Sequence, residues 1–258
     1  MILDCQDEKT ALTSVANYFE QPTEIISDII KSVDFSSLHE READRYNYFT
    51  DFLYVYFSKK FGVGTIDQIM WYHLSRSLNP ESYYNGILPL NEILHQLQSD
   101  LYCLTKDRIS NEEWIEICNG KGAGFRKTRF DSKRKCRDHY GPYAMLVREI
   151  AFNSNQVGNH DYLRIPEIIE DMCMGMENEY GIDLIGKYIE KSIPVITKFR
   201  KVVIDHGKDK NYIGTALCYL YCKLNNKRLS LTCNTCFCGY GEGIKAEDII
   251  SVDVLKGK

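Results

Sequence analysis

Ile66-Asp-Gln-Ile-Met-Trp-Tyr-His-Leu-Ser-Arg-Ser77 runs apolar through Ile69, Trp71 and Tyr72 and then turns polar at His73, Ser75 and Arg76. Gly62 and Gly64 punctuate the chain just before it. This texture predicts a short buried strand that ends in polar groups. A short helix should follow, from Asn79 or Glu81 to Asn85, with Gly86 as its stop. Before the strand, residues 1 to about 62 read as helix. Glu40–Phe61 starts acidic and ends basic, as a helix dipole prefers, and its Tyr46, Phe49, Phe52, Leu53, Tyr56 and Phe57 recur at three- and four-residue spacing. That stripe reads as a packing face.

After the strand, ILPLNEILHQLQSDL (87–101) predicts a turn and an amphipathic helix with Pro89 near its start. Residues 103–140 show no clear period and read as an insertion. GPYAMLVREIAF (141–152) reads as a strand opened by the Gly141-Pro142 turn signal. Residues 166–193 read as helix broken at Gly181, and PVITKFRKVVI (194–204) has the β-branched content of a strand. Residues 211–224 are mixed in character, and 228–255 read as two strands joined by a glycine-rich turn. The expected class is α+β, with helices first and strands concentrated in the last two thirds.

The chain has 258 residues which, against the roughly 150 of a common domain, make one large domain or one domain with an appendage. Its 44% hydrophobic and 26% charged residues, with 6 Pro and 17 Gly, exclude a collagen, a coiled-coil rod or a disordered chain. Against 32 Lys+Arg stand 36 Asp+Glu, a net charge of -4, so a uniformly basic coat for nucleic acid is excluded and only a local basic patch remains. No apolar run approaches the roughly 20 residues that span a bilayer, and the acidic N-terminus does not read as a signal peptide. A cytoplasmic protein without a membrane partner is expected, and its 10 Cys should be thiols before they are disulfides.

Three features could carry chemistry. The first is His73 with Ser75 and Arg76 at the strand end, followed at short distance by Tyr84 and the Gly86-Ile-Leu-Pro89 turn; a lone His beside Trp and Tyr can equally be a satisfied core residue. The second is Lys121–Arg137, where Lys121, Arg126, Lys127, Arg129, Lys133, Arg134, Lys135 and Arg137 face only Asp131, with Phe125 and Phe130 between them. Such a run offers phosphate contacts and stacking surfaces, or is a solvated charged face. The third is Cys233, Cys236 and Cys238, with Cys218 and Cys222 upstream. Cys233 and Cys236 have zinc-ligand spacing but make half a tetrahedral site, which Cys222 or Cys218 could complete if the hairpin folds back. Alternating residues of a buried strand explain these cysteines as well, and no metal ligand is assigned.

The His73-x-Ser75 strand end, its short helix and the G-I-L-P turn resemble the opening of NAD-dependent ADP-ribosyltransferase toxins. Pro142, Tyr143 and Arg148 in GPYAMLVREI resemble a segment of DarT-like, nucleic-acid-modifying members, and GIKAEDIISVDVL resembles how these folds close. The resemblance covers roughly residues 67–258 as three short segments. It implies an ADP-ribosyltransferase-like split mixed β-sheet core over 67–258, preceded by an N-terminal helical extension over 1–66 and carrying the basic insertion at about 103–140. It also implies NAD as substrate, with His73, Ser75, Arg76, Tyr84 and Arg148 around it. Arg148 would clamp phosphate bidentately; its alternative is a strand-end ion pair with Glu149. The carboxylate such enzymes use has no counterpart near CNTCFCG. Glu242 is the nearest choice, with Glu167 and Glu170 as alternatives. The expected activity is transfer of ADP-ribose to RNA or DNA held by Arg126, Lys127, Arg129, Lys133, Arg134 and Lys135, in a toxin of a toxin–antitoxin or phage-defence system with a neutralising antitoxin or chaperone partner. An RNA 2′-phosphotransferase-like enzyme using NAD, and a non-catalytic nucleic-acid-binding module, are the competing expectations.

Overall fold

The computed structural model describes residues 1–122, 124 and 127–255, and only the backbone of Arg129. In chain order the elements are β1 (Ile2–Leu3), α1 (Glu8–Tyr18), α2 (Thr23–Ser32), α3 (Phe35–Arg41), α4 (Phe49–Phe61), β2 (Gln68–Ser77), β3 (Gly86–Ile87), α5 (Leu90–Cys103), α6 (Asn111–Cys118), α7 (Lys127–Lys135), β4 (Tyr143–Met145), α8 (Ser154–Val157), α9 (Glu167–Tyr180), α10 (Leu184–Lys191), β5 (Ile193–Val202), α11 (Asp209–Leu224), β6 (Cys236–Cys238), β7 (Ile244–Lys245) and β8 (Ile249–Val254). Helices and antiparallel strand pairs make a mixed α and β protein. The larger sheet has the order β6-β4-β2-β5-β8, with β1 also pairing with β2, and β3 pairs with β7 separately. Ile2 and Leu3 lie parallel to Gln68 and Ile69, and Tyr72 lies opposite Met145 in an antiparallel pair. No helix among the described residues is long and apolar enough to cross a membrane.

The chain divides into two compact units. One comprises Met1–Tyr72, Ala144–His160 and Phe199–Phe237; the other comprises His73–Tyr143, Asp161–Lys198 and Cys238–Lys258. This division differs from the expected boundary at residues 66 and 67. The first unit draws on distant segments because β1 pairs with β2 and because α11 packs against α1, α2 and α4. Helix α11 is where 211–224 looked mixed. Every residue from Ile213 to Cys222 is buried, so the helix is apolar all round and shows no stripe to read. Gly214 lets it approach α4: a Cβ there would sit 2.6 Å from the Thr50 carbonyl oxygen. Phe35 meets Phe52, Phe57 and Tyr221 around this contact.

The second unit has its own core from α5, α6, α7, α9 and α10, including Leu101, Trp114, Ile117, Phe130, Ile169, Met172 and Tyr188. The expected insertion at about 103–140 is thus part of a core, because Trp114, Ile117 and Phe130 are buried in it. Helix α9 ends on Gly181, in the left-handed region at φ 64°, as the break there predicts. Gly86 has φ 110°, and a Cβ on it would meet the Ile244 carbonyl oxygen at 2.3 Å, so the β3–β7 pair requires glycine. The sequence expectation of a single closing hairpin gives way to three strands, β6, β7 and β8, which pair with β4, β3 and β5. The predicted strand over 141–152 is confined to β4; a 3-10 turn takes over at Arg148–Phe152.

Candidate functional site

His73 lies where β2 enters the second unit. Its Nδ1 is 2.7 Å from the Tyr143 carbonyl oxygen. A carbonyl only accepts, so Nδ1 carries the proton and Nε2 of the neutral ring is left with its lone pair. Burial lowers the His73 pKa, against the opposing pull of the Tyr143 carbonyl, so the neutral form is favoured. The Tyr83 ring stands beside the imidazole, centroids 5.8 Å apart and tilted by 48°. Tyr83 comes from the 3-10 turn Pro80–Asn85; burial raises its pKa, and a side-chain hydrogen bond with buried Ser75 opposes that rise.

The aromatic neighbour of His73 is therefore Tyr83, while Tyr84, the residue expected there, is exposed. The missed signal is periodicity. In a three-residue turn Pro80 and Tyr83 share a face, and Tyr84 points away from it. Arg76 is occupied differently: its Nε donates to Ser192 Oγ at 2.8 Å, Nη1 to the Leu163 carbonyl at 3.2 Å, and Nη2 to the Ile189 and Ser192 carbonyls at 2.7 and 3.0 Å. These bonds cap the carbonyl end of α10, where a cation also suits the helix dipole.

The glycine-rich segment that holds Glu242 is tied to the same region. The Gly239 N–H donates to the Pro142 carbonyl at 3.0 Å and the Gly241 N–H to the Gly141 carbonyl at 2.8 Å. Tyr143, next in the chain, is the residue that fixes His73. Gly243 packs against the Ile87–Pro89 turn. Glu242 itself is exposed, its backbone N–H held by the Gly239 carbonyl at 2.9 Å. Of the alternative carboxylates, Glu167 pairs with Lys133 at 3.3 Å, and Glu170 lies in the acidic first turn of α9.

Arg148 belongs to the first unit. It opens a 3-10 turn, its backbone N–H donates to the Cys5 carbonyl at 3.1 Å, and its guanidinium lies 5.3 Å from the Phe152 ring centroid. The Glu149 carboxylate is held by Lys223 at 2.7 Å and by the Tyr219 hydroxyl at 2.8 Å.

Among the described residues of the basic run, the lysines stand against carboxylates. Lys133 is buried and pairs with Asp171 at 2.7 Å as well as with Glu167. Lys127 pairs with Asp131 at 2.9 Å, and Lys121 with Glu116 at 2.6 Å. Arg134 lies over the ring of Phe130, which is buried and offers no stacking surface. Lys135 is exposed, 3.9 Å from Asp131. Arg126, Phe125 and the Arg129 side chain lie outside the described residues.

In the first unit, Cys218 and Cys222 of α11 meet Cys233 from the turn Leu231–Cys233. Their sulfurs all lie within 4.8 Å of one another, with 3.8 Å between Cys218 and Cys233 and 3.5 Å between Cys222 and Cys233. Helix and turn, rather than alternation along a strand, bring them together, and exposed Cys236 is not among them. Thiol contacts with Cys218 and Cys222 hold the Cys233 thiol below the ordinary thiol range, while contacts with Cys222 and Cys233, and then burial, push Cys218 up. Comparison with protein-family models, curated proteins and solved structures finds no match to this chain.

Proposed function

We propose that the chain is an NAD-dependent ADP-ribosyltransferase that moves ADP-ribose to a nucleic acid. The observation that carries this reading is convergence. The His73 strand end, the Gly141-Pro142-Tyr143 segment and the closing segment 239–243 are far apart in sequence and are hydrogen-bonded in series within one unit. The resemblance to such transferases lies in the first two of these segments and in GIKAEDIISVDVL, which begins at Gly243 where the third one ends.

The chemistry suits those groups. Nicotinamide leaves with the electron pair of its bond to the ribose, positive charge grows on the ribose, and an acceptor nitrogen or oxygen forms the new bond and gives up its proton. Neutral His73 offers Nε2 to a ribose hydroxyl, and Tyr83 offers an aromatic face to the nicotinamide. Glu242 is the proposed carboxylate, whose role is to stabilise the growing charge or take the acceptor proton. The acceptor class rests on the surface cations of α7, chiefly Lys127 and Lys135. A cytoplasmic toxin restrained by a partner protein fits an activity of this kind.

Radiolabelled NAD incubated with the full chain and with RNA, DNA or protein tests the reading directly. Nicotinamide release and label on nucleic acid are expected, with turnover lost in His73→Ala while the variant stays folded. Absence of NAD turnover by the wild-type chain, or full turnover by His73→Ala, overturns it. Label on protein alone keeps the transferase and removes the nucleic acid.

A further inference from the structure

We propose that Cys218, Cys222 and Cys233 form a binding site for a thiophilic divalent cation of the zinc type, with its fourth coordination position open to an adjoining cavity. The first argument is geometric. Tetrahedral zinc–thiolate bonds of about 2.3 Å require sulfurs about 3.8 Å apart. Two of the separations are 3.8 and 3.5 Å and the third is within 4.8 Å, so the triangle is close to one face of such a tetrahedron before any ion enters. A disulfide would need about 2.05 Å, far shorter than either separation.

The second argument is how the triangle is held. Cys218 and Cys222 are four residues apart on the buried helix α11, so both sulfurs project from one face. Cys233 is brought over them by the turn Leu231–Cys233, which packs against α11. Two hydroxyls surround the sulfurs: Thr232 Oγ1 is 3.6 Å from the Cys218 sulfur, and Ser230 Oγ is 3.8 Å from the Cys233 sulfur. Hydroxyl donors of this kind orient thiolate ligands and moderate their charge.

The third argument concerns the open position. Cys218 and Cys222 line a cavity of about 300 Å³ together with Ser36, His39, Tyr221 and Lys227. Three thiolates around a divalent ion leave a single net negative charge. The Lys227 ammonium, fixed by the Tyr221 hydroxyl at 2.6 Å and by Ser36 Oγ at 3.2 Å, puts a positive charge on the same cavity. Three protein ligands with a fourth position facing a polar cavity are the pattern of a zinc site that exchanges water for another ligand, whereas a purely structural site closes with four protein ligands. This inference does not depend on the ADP-ribosyltransferase reading.

Cobalt(II) replacing zinc in the reduced full chain is the test, read by absorbance in the absence of NAD and nucleic acid. One equivalent should give sulfur-to-cobalt charge transfer and the visible bands of a tetrahedral site, and zinc should bleach both. Cys218→Ser, Cys222→Ser and Cys233→Ser should each reduce the charge transfer and weaken zinc binding by more than about 100-fold, beyond the usual effect of removing an outer-shell partner. Cys236→Ser should change neither. Added imidazole should shift the visible bands, since the fourth position is exchangeable. Should the cysteine variants misfold, wild-type protein still decides: its thermal midpoint rises with zinc and falls back with chelator. No tetrahedral cobalt spectrum, no zinc-dependent midpoint, or a signal that follows Cys236 overturns the site; bands unmoved by imidazole overturn its open position.

Discussion

Two stretches of the second unit, His73–Gly86 and Lys121–Arg137, both carry suggestive polar residues, and the fold uses them in opposite ways. Around His73 a carbonyl fixes the proton on one ring nitrogen and leaves the other with its lone pair, with an aromatic ring alongside. Along Lys121–Arg137 the described lysines Lys121, Lys127 and Lys133 are turned on nearby carboxylates, and the most deeply placed of them, Lys133, closes a buried ion pair. A dense run of charge in a sequence therefore does not measure surface potential, whereas one histidine with a fixed tautomer can be poised for a ligand.

The largest effect should come from Lys133. Lys133→Ala removes the buried ammonium that pairs with both Asp171 and Glu167, and should destabilise the fold by about 3–5 kcal/mol in urea titration. Lys135→Ala, on the exposed side of α7, should stay within about 0.5 kcal/mol. Equal effects from the two would break the contrast between structural and surface cations. The same pair sharpens the acceptor question, because only the Lys135 change can alter the salt dependence of nucleic-acid binding without altering stability.

Arg76 comes next. Arg76→Ala strips donors from the carbonyls of Leu163, Ile189 and Ser192 and should cost about 2–4 kcal/mol by the same titration. A stable Arg76→Ala that loses only NAD turnover would return Arg76 to the ligand and undo its placement as an α10 cap.

The smallest effect is a pH dependence. Because burial lowers the His73 pKa, the unfolded chain binds the proton more readily, and stability should fall as the pH drops below the ordinary histidine value of about 6.5. The slope for one proton is at most about 1.4 kcal/mol per pH unit. His73→Gln should flatten the profile over that window relative to wild type. An identical profile in the variant would show that the imidazole is not held in its neutral form by the fold.

Much of the fold was legible where patterning is local. The strand at 68–77, the short turn stopped by Gly86, the helix from Leu90 and the break at Gly181 all follow from apolar alternation, glycine stops and proline starts. Helix α11 was not legible, since a helix buried on every side has no amphipathic period. The core role of 103–140 was hidden for another reason: Trp114, Ile117 and Phe130 lie among charged residues, and only α9 and α10 on the far side of the chain make them interior.

For the candidate site, the sequence by itself determined which chemistries were present: an imidazole at a strand end, a cationic run, and five cysteines between 218 and 238. Tertiary structure alone decided which of those atoms remain available for a ligand. It selected Tyr83 over Tyr84, spent the Arg76 guanidinium on carbonyls, and gathered Cys218, Cys222 and Cys233 while leaving Cys236 out. The physical reason is that propensity and spacing act over a few residues, whereas a hydrogen-bond partner, a counter-ion or a third thiol is supplied by chain brought close only when the core is buried.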